Sequence, residues 1–477
     1  MHHEYVERVV DLLDPASNQI YNMSIDEARA RILNGTPQSV REIEGSFALV
    51  AREGKRVRLA RSMDRPLRYF LAKRAEGPAL VVADRIDVLH AWLKDEGFEN
   101  QFHPSYTRMV PAHYVIELQL IGCPDPDPVY TRFFDPKRNK LSTDPDEIGH
   151  AYIGALADEI AKWLRRIDVG VRPSPGAETS ERSATSKFSH APDRVDASAD
   201  GDVRTPLNPI GVAFSGGIDS GAVFLTTYHV MRHLGLSPSR LKAFTLSFGD
   251  GPDLQQARDF LERLGLGLFL EPIEADLADL NIAETIRVVE DYKPLDIESA
   301  SMAMTLYRGI RARYPDWRHL IDGDGGDENL KDYPIEENPE LTIRSVVSNQ
   351  MLYQEGWGVG RIKHSLTYSG GLSRSYTRTY APAKHFGFEG FSPFTRPNVI
   401  EVAEGIPFTE LTGMDVEKLY ALKGDIVARG VKAITGMDMP VFPKRRFQHG
   451  AVKVETLRQR MPGRELELRR QFLAMYQ

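Results

Sequence analysis

One cysteine, Cys123, is present in 477 residues. A single thiol closes no intrachain disulfide and builds no cysteine-rich zinc cluster, which points to a cytoplasmic location. No run reaches the roughly 18 consecutive apolar residues that cross a bilayer. The opening Met1-His2-His3-Glu4-Tyr5 lacks a basic-then-apolar leader, so no membrane association and no secretion are expected. An excess of positive charge is also missing: 60 Lys and Arg face 67 Asp and Glu, for a net charge of −7. That balance argues against nucleic acid as a partner and favours a small-molecule substrate.

Apolar residues at 42% and charged residues at 27% are enough to bury full-sized cores, and the length suits two or three domains. Between Val171 and Pro209 Ser, Thr, Pro, Ala and Asp crowd together, a composition that cannot offset its own ordering entropy. We therefore divide the chain into a domain over 1–140, a connecting helix over 141–170, a flexible linker over 171–209 and a second domain over 210–477. Short apolar runs at Ser46–Val50, Val57–Ala60, Tyr69–Ala72, Ala79–Val82 and His113–Leu118 predict an α+β first domain of antiparallel sheets. Asp144-Pro145-Asp146-Glu147 opens a helix whose stripe runs through Ile148, Tyr152, Ile153, Leu156, Ile160, Trp163 and Leu164.

The second domain alternates strands (Ile210–Phe214, Lys242–Phe248, His319–Ile321) with helices (Ala222–Leu234, Leu254–Leu264), the pattern of an α/β fold with a parallel sheet. Beyond Asn338 the chain turns mostly helical, for example at Leu341–Tyr353 and Pro397–Glu404.

Two turns in this domain concentrate chemistry. Ser215-Gly216-Gly217-Ile218-Asp219-Ser220 links a strand to a helix. Its glycines allow close backbone approach, and free amides at the helix start favour phosphate oxygens. It is neither a Walker A loop nor a Gly-x-Gly-x-x-Gly turn. Its hydroxyls and amides suit a pyrophosphate, and Asp219 could hold Mg²⁺ beside it. Asp322-Gly323-Asp324-Gly325-Gly326-Asp327-Glu328 packs four acids among three glycines at a strand end, and these repel one another unless a cation sits among them. Asp327 is the favoured second metal ligand. Plainer readings are a capped strand-to-helix turn for the first segment and a solvated acidic turn for the second. If the two strands are neighbours, both turns face one crevice at the carboxyl ends of the sheet.

In order and context the two turns resemble the synthetase domain of the asparagine synthetase family, which includes the β-lactam synthetases. Glu389-Gly390-Phe391-Ser392-Pro393-Phe394 and Pro443-Lys444-Arg445-Arg446-Phe447 are similar to two later segments of that family. Glu44-Gly45-Ser46-Phe47-Ala48, Arg61–Tyr69 and Val110–His113 are similar to its N-terminal glutaminase-like (Ntn) domain. The resemblance implies a PP-loop fold of the adenine nucleotide α-hydrolase type with a helical C-terminal region. The implied activity is adenylation of a carboxylic acid by ATP with Mg²⁺, release of pyrophosphate, and amide formation with ammonia or another amine. It assigns Ser215, Gly216, Gly217, Asp219 and Ser220 to the pyrophosphate, and Asp219 with Asp327 to Mg²⁺. Lys444 becomes the transition-state cation, and Glu389, partnered by Asp324, orients or deprotonates the amine.

Departures narrow the expectation. Met1 is followed by His2, so the N-terminal cysteine of glutamine-dependent members has no counterpart, and glutamine hydrolysis is not expected. Glu298 stands where asparagine synthetases tend to carry an arginine, and would repel a free carboxylate, which suggests an acid larger than aspartate or cationic. Two alternatives remain: an intramolecular, lactam-forming ligase, and a non-catalytic nucleotide-binding scaffold. A homodimer is one expected assembly.

Overall fold

The structure is a computed structural model that describes residues 8–34, 36–74, 78–120, 127–167, 209–249, 251–332, 335, 342–348, 380–442 and 465–477. Cys123, Lys444 and the 171–208 part of the expected linker lie outside the described residues.

The first part contains β1 (Arg8–Asp11), β2 (Gln19–Ile20), α1 (Ile25–Asn34), α2 (Pro37–Arg41), β3 (Gly45–Ser46), β4 (Ala48–Glu53), β5 (Arg56–Arg61), β6 (Arg68–Ala72), β7 (Ala79–Ala83), α3 (Ile86–Asp95), β8 (Arg108–Met109), β9 (Tyr114–Gln119) and β10 (Val129–Arg132). Two four-stranded sheets, β1-β7-β6-β8 and β10-β9-β5-β4, share a core that includes Val57, Leu59 and Ile116 from one and Tyr69, Leu80 and Val82 from the other. Alternation of apolar residues supplies these inward faces. The expected antiparallel pairing holds for most strands, but β1 pairs with β7 in parallel, Arg8 opposite Ala79, so that sheet is mixed.

The helix read from Asp144 is α4 (Pro145–Ile167), and its predicted stripe is buried throughout. Then come β11 (Ile210–Ala213), α5 (Ile218–His233), β12 (Leu241–Ser247), α6 (Pro252–Arg263), β13 (Leu270–Glu274), α7 (Ile282–Val289), α8 (Pro294–Arg313), β14 (His319–Ile321), α9 (Gly326–Asn329) and α10 (Ile343–Ser348). The last elements are α11 (Ala381–His385), β15 (Glu389–Phe391), α12 (Pro397–Glu404), α13 (Phe408–Thr412), α14 (Val416–Thr435) and α15 (Glu465–Ala474). A five-stranded sheet of order β13-β12-β11-β14-β15 forms, every neighbouring pair parallel. The order reverses at β11, which leaves a crevice beyond its carboxyl end, between β11 and β14.

α4 is more than a connector. It crosses α14 so closely that a Cβ on Gly430 would lie 2.2 Å from the Gly149 carbonyl oxygen, and the two helices share one core with β11 and α5. Trp163 at its far end stacks on Phe391 of β15, centroids 4.9 Å apart. Burying a large apolar side chain stabilises by about 1.5–3 kcal/mol, so this stripe anchors α4 to the second half. The first part docks on the second through Glu290, buried after α7. Its carboxylate accepts from the Ile86 and Asp87 amides at 2.7 and 3.2 Å, capping α3, and pairs with Arg68 at 3.3 Å.

Candidate active site

β11 ends at Ala213, and the chain turns through Ser215, Gly216 and Gly217 into α5. Gly216 has φ +70°, and a Cβ there would lie 2.9 Å from Ala257 backbone atoms of α6, so both conformation and space demand glycine. Within the turn the Ser215 amide donates to Ser220 Oγ and the Gly217 amide to Ser215 Oγ, each at 3.3 Å. Gln256 braces it from α6, its Nε2 donating to the Ser215 carbonyl at 3.3 Å. No side chain caps α5, whose N-cap is Gly217. Its first-turn amides therefore face the crevice side of the sheet with the positive end of the helix dipole.

The acidic turn follows β14. Asp322 is buried and serves the architecture of that turn. Its amide donates to the Phe391 carbonyl at 3.1 Å, while its carboxylate accepts from Ser392 Oγ and the Asp324 amide, each at 3.0 Å. These bonds fasten the turn to β15 and aim the next residues over the β11 end. Two of its glycines meet the first turn. A Cβ on Gly323 would stand 2.8 Å from the Ser220 amide nitrogen, and one on Gly326 would stand 2.2 Å from Asp219 Oδ1. The sequence could not say whether the two strands were neighbours; they are, and the two turns touch.

Asp219 and Asp327 converge on one cation, the Lys423 ammonium of α14. Its Nζ donates to Asp219 Oδ2 at 2.6 Å and to Asp327 Oδ1, and lies 3.5 Å from Asp332 Oδ2. Burial works against this charge, but the three carboxylates outweigh it and hold the Lys423 pKa well above its ordinary value. Lys423 escaped the sequence analysis. A signal was available: it occupies the core-facing stripe Leu419, Lys423, Ile426, Val427, Gly430, where a charge is stable only if paired.

Other expected site residues fare differently. Asp324 is half-buried in the acidic turn, and Tyr307 of α8 lies buried nearby. Burial first, then the charges of Asp322 and Asp324, push the Tyr307 phenol well above its usual pKa. Glu389 is not brought to Asp324. In the register His319 faces Glu389, so Glu389 sits at the amino end of β15 while the acidic turn leaves the carboxyl end of β14. Its carboxylate accepts from Arg318 Nε at 2.8 Å and lies 3.4 Å from His319 Nδ1. His319 and then Arg318 pull its pKa down to about 2 against the opposing effect of burial. The carboxylate is thus paired with Arg318 and His319 at the amino end of the strand. The role expected of Lys444 lies outside the described residues.

Among the described residues no group of three or more His, Cys, Asp or Glu side chains forms a metal cage. Two converging carboxylates suit Mg²⁺ nonetheless, because this ion commonly binds through one or two carboxylates, water and substrate phosphates. Asp219 and Asp327 fit that donor set, with Lys423 as the cation now between them.

Residues 202–379 match the asparagine synthase family model, a stretch that contains both turns. Over that stretch the chain is similar to this family. Over 147 residues it is 27% identical to a protein of Acanthamoeba polyphaga mimivirus described as a probable glutamine-hydrolysing asparagine synthetase. That likeness covers 31% of this chain and 24% of the viral protein. Lys423 and Glu389 lie beyond residues 202–379, outside the match to the family model. Among the described residues no helix is long and apolar enough to cross a membrane.

Proposed function

We propose that the chain is an ATP-dependent ligase that adenylates a small carboxylic acid, releases pyrophosphate, and joins the acyl group to ammonia or another amine without hydrolysing glutamine. One observation carries this reading: two turns remote in sequence meet over the carboxyl ends of adjacent parallel strands, with Asp219 and Asp327 sharing the Lys423 ammonium.

The chemistry follows from these positions. Ser215, Gly216, Gly217 and Ser220 offer amides and hydroxyls to the β- and γ-phosphates, and the α5 dipole favours their charge. Asp219 and Asp327 would hold Mg²⁺, which supplies charge neutralisation to the triphosphate as the acid oxygen displaces pyrophosphate from the α-phosphorus. The Lys423 ammonium, held beside these carboxylates, would stabilise the charge that develops on the departing pyrophosphate. Asp322 keeps the acidic turn in place. Tyr307, protonated at neutral pH, is a hydrogen-bond donor beside Asp324.

Purified protein with Mg-ATP and a panel of carboxylic acids should release pyrophosphate only with the right acid, and the product mass should identify the amine. A product lighter than the acid by one water would make the reaction intramolecular. ATP binding without pyrophosphate release for any acid, with and without ammonia, would count against catalysis and for the scaffold.

A further inference from the structure

The acidic turn is held by a third piece of chain. A Cβ on Gly325 would lie 3.1 Å from Phe394 Cβ and from Thr395 Cγ2, and Asn329 Nδ2 donates to the Phe394 carbonyl at 3.0 Å. The short turn Pro393–Thr395 is thus the backing against which Gly325 and α9, and with them Asp327, are set. Arg396 comes next, and it is buried. Its guanidinium crosses into the first part of the chain, Nη2 donating to Asp64 Oδ2 at 2.5 Å. Asp64 is buried as well and accepts from Ser46 Oγ at 2.5 Å and Ser62 Oγ at 2.7 Å; Ser62 Oγ in turn accepts from the Phe47 amide at 2.9 Å. Phe391, which carries the hydrogen bond to Asp322, lies under the same guanidinium at 5.4 Å.

Such a buried pair is a poor choice for holding domains together, because apolar residues of similar volume would do so at lower desolvation cost. What the pair provides is placement. A planar guanidinium fixed by a carboxylate that two serines and the turn between β5 and β6 immobilise leaves the 393–395 turn one position. We propose that Asp64 and Arg396 are positioning residues for the nucleotide site: through this pair the first part of the chain sets the acidic turn, and so the affinity for Mg-ATP. The inference rests on the ATP reading above and gives the first part a role in it that needs no glutaminase chemistry.

Titration calorimetry of the full chain tests it, with Mg-ATP and, separately, inorganic pyrophosphate with Mg²⁺ as probes. Asp64→Asn and Arg396→Lys should each weaken Mg-ATP binding by about tenfold or more, a coupling of ordinary size. Glu290→Gln, which loosens the docking of the two parts elsewhere, should lower the melting temperature and leave the dissociation constant within about twofold. Asp64→Glu, which restores the charge, should recover part of the affinity. If Asp64→Asn does not fold, Arg396→Lys decides, since it leaves Asp64 a cation and removes only the planar guanidinium. Folded variants with lowered melting temperatures and unchanged Mg-ATP binding would make the pair purely structural and overturn the inference, while the ATP reading stands. Wild-type protein that binds neither probe overturns both.

Discussion

Replacing Lys423 by Met keeps the side chain's length and apolar stem and removes the charge that Asp219, Asp327 and Asp332 share. The Lys423 side chain is 3% exposed and that of Asp332 is 6% exposed, so at least one carboxylate would lose its cation where water cannot replace it. Removing one partner of a buried pair costs about 3–5 kcal/mol. Asp219 and Asp327 are more open, at 20% and 37%, and can recover hydration, so we expect the lower end of that range. A loss of about 3 kcal/mol should lower Tm by about 6–12 °C for a cooperative unit of this size. Mg²⁺ should then raise Tm more in the variant than in the wild type, because the two carboxylates facing the crevice repel until a cation returns. At saturating Mg-ATP, pyrophosphate release should fall by about 10²–10³-fold, the loss typical of one preorganised charge stabiliser. Thermal melts in EDTA and in Mg²⁺, beside the pyrophosphate assay, measure all three. A Lys423→Met protein with Tm within about 2 °C of wild type and release within about threefold would refute the reasoning, since effects so small match an exposed surface pair. The contact is also expected to survive alkali: a raised lysine pKa gives stability that is full below about 10.5 and is lost only as pH climbs past that value.

Further outcomes follow from the same contacts. Gly326→Ala should abolish Mg-ATP binding measured by calorimetry, because its Cβ would collide with Asp219 Oδ1 at 2.2 Å, while the circular dichroism spectrum should be retained. Glu389→Gln should leave pyrophosphate release unchanged and cost about 1 kcal/mol in urea unfolding at pH 7, a value discounted because the group is half-buried. That difference should shrink as pH falls from about 4.5 toward about 2, where the native carboxylate takes up its proton. Asp291→Asn should do the reverse. Burial, and then Asp296, raise the Asp291 pKa to about 6, so the folded state loses stability as pH rises through that value. The variant should be more stable than wild type at pH 7 and no different below about pH 4.

How much was legible from the residues depended on whether the determining contacts were local. The strand at His319–Ile321 and the helix at Pro397–Glu404 end where short-range apolar runs and turn residues place them. The α4 stripe was readable because a helix repeats its buried face at fixed spacing. The position of Glu389 was not legible because a three-residue strand carries no mark of which end lies at the crevice; the parallel register with His319 decides that. Lys423 was passed over for a similar reason. Its stripe announced a buried charge, but its partners come from three segments distant in sequence.

The residues alone determined that there would be a glycine-lined strand-to-helix turn, an acidic turn and a parallel sheet, because each depends on backbone freedom, charge and apolar spacing within a few neighbouring positions. Only the tertiary structure decided that the two turns touch, that a lysine from α14 neutralises them, and that Arg396 ties the second turn to Asp64. Those are contacts between segments whose approach is settled by how sheets and helices pack, and packing is a property of the whole chain.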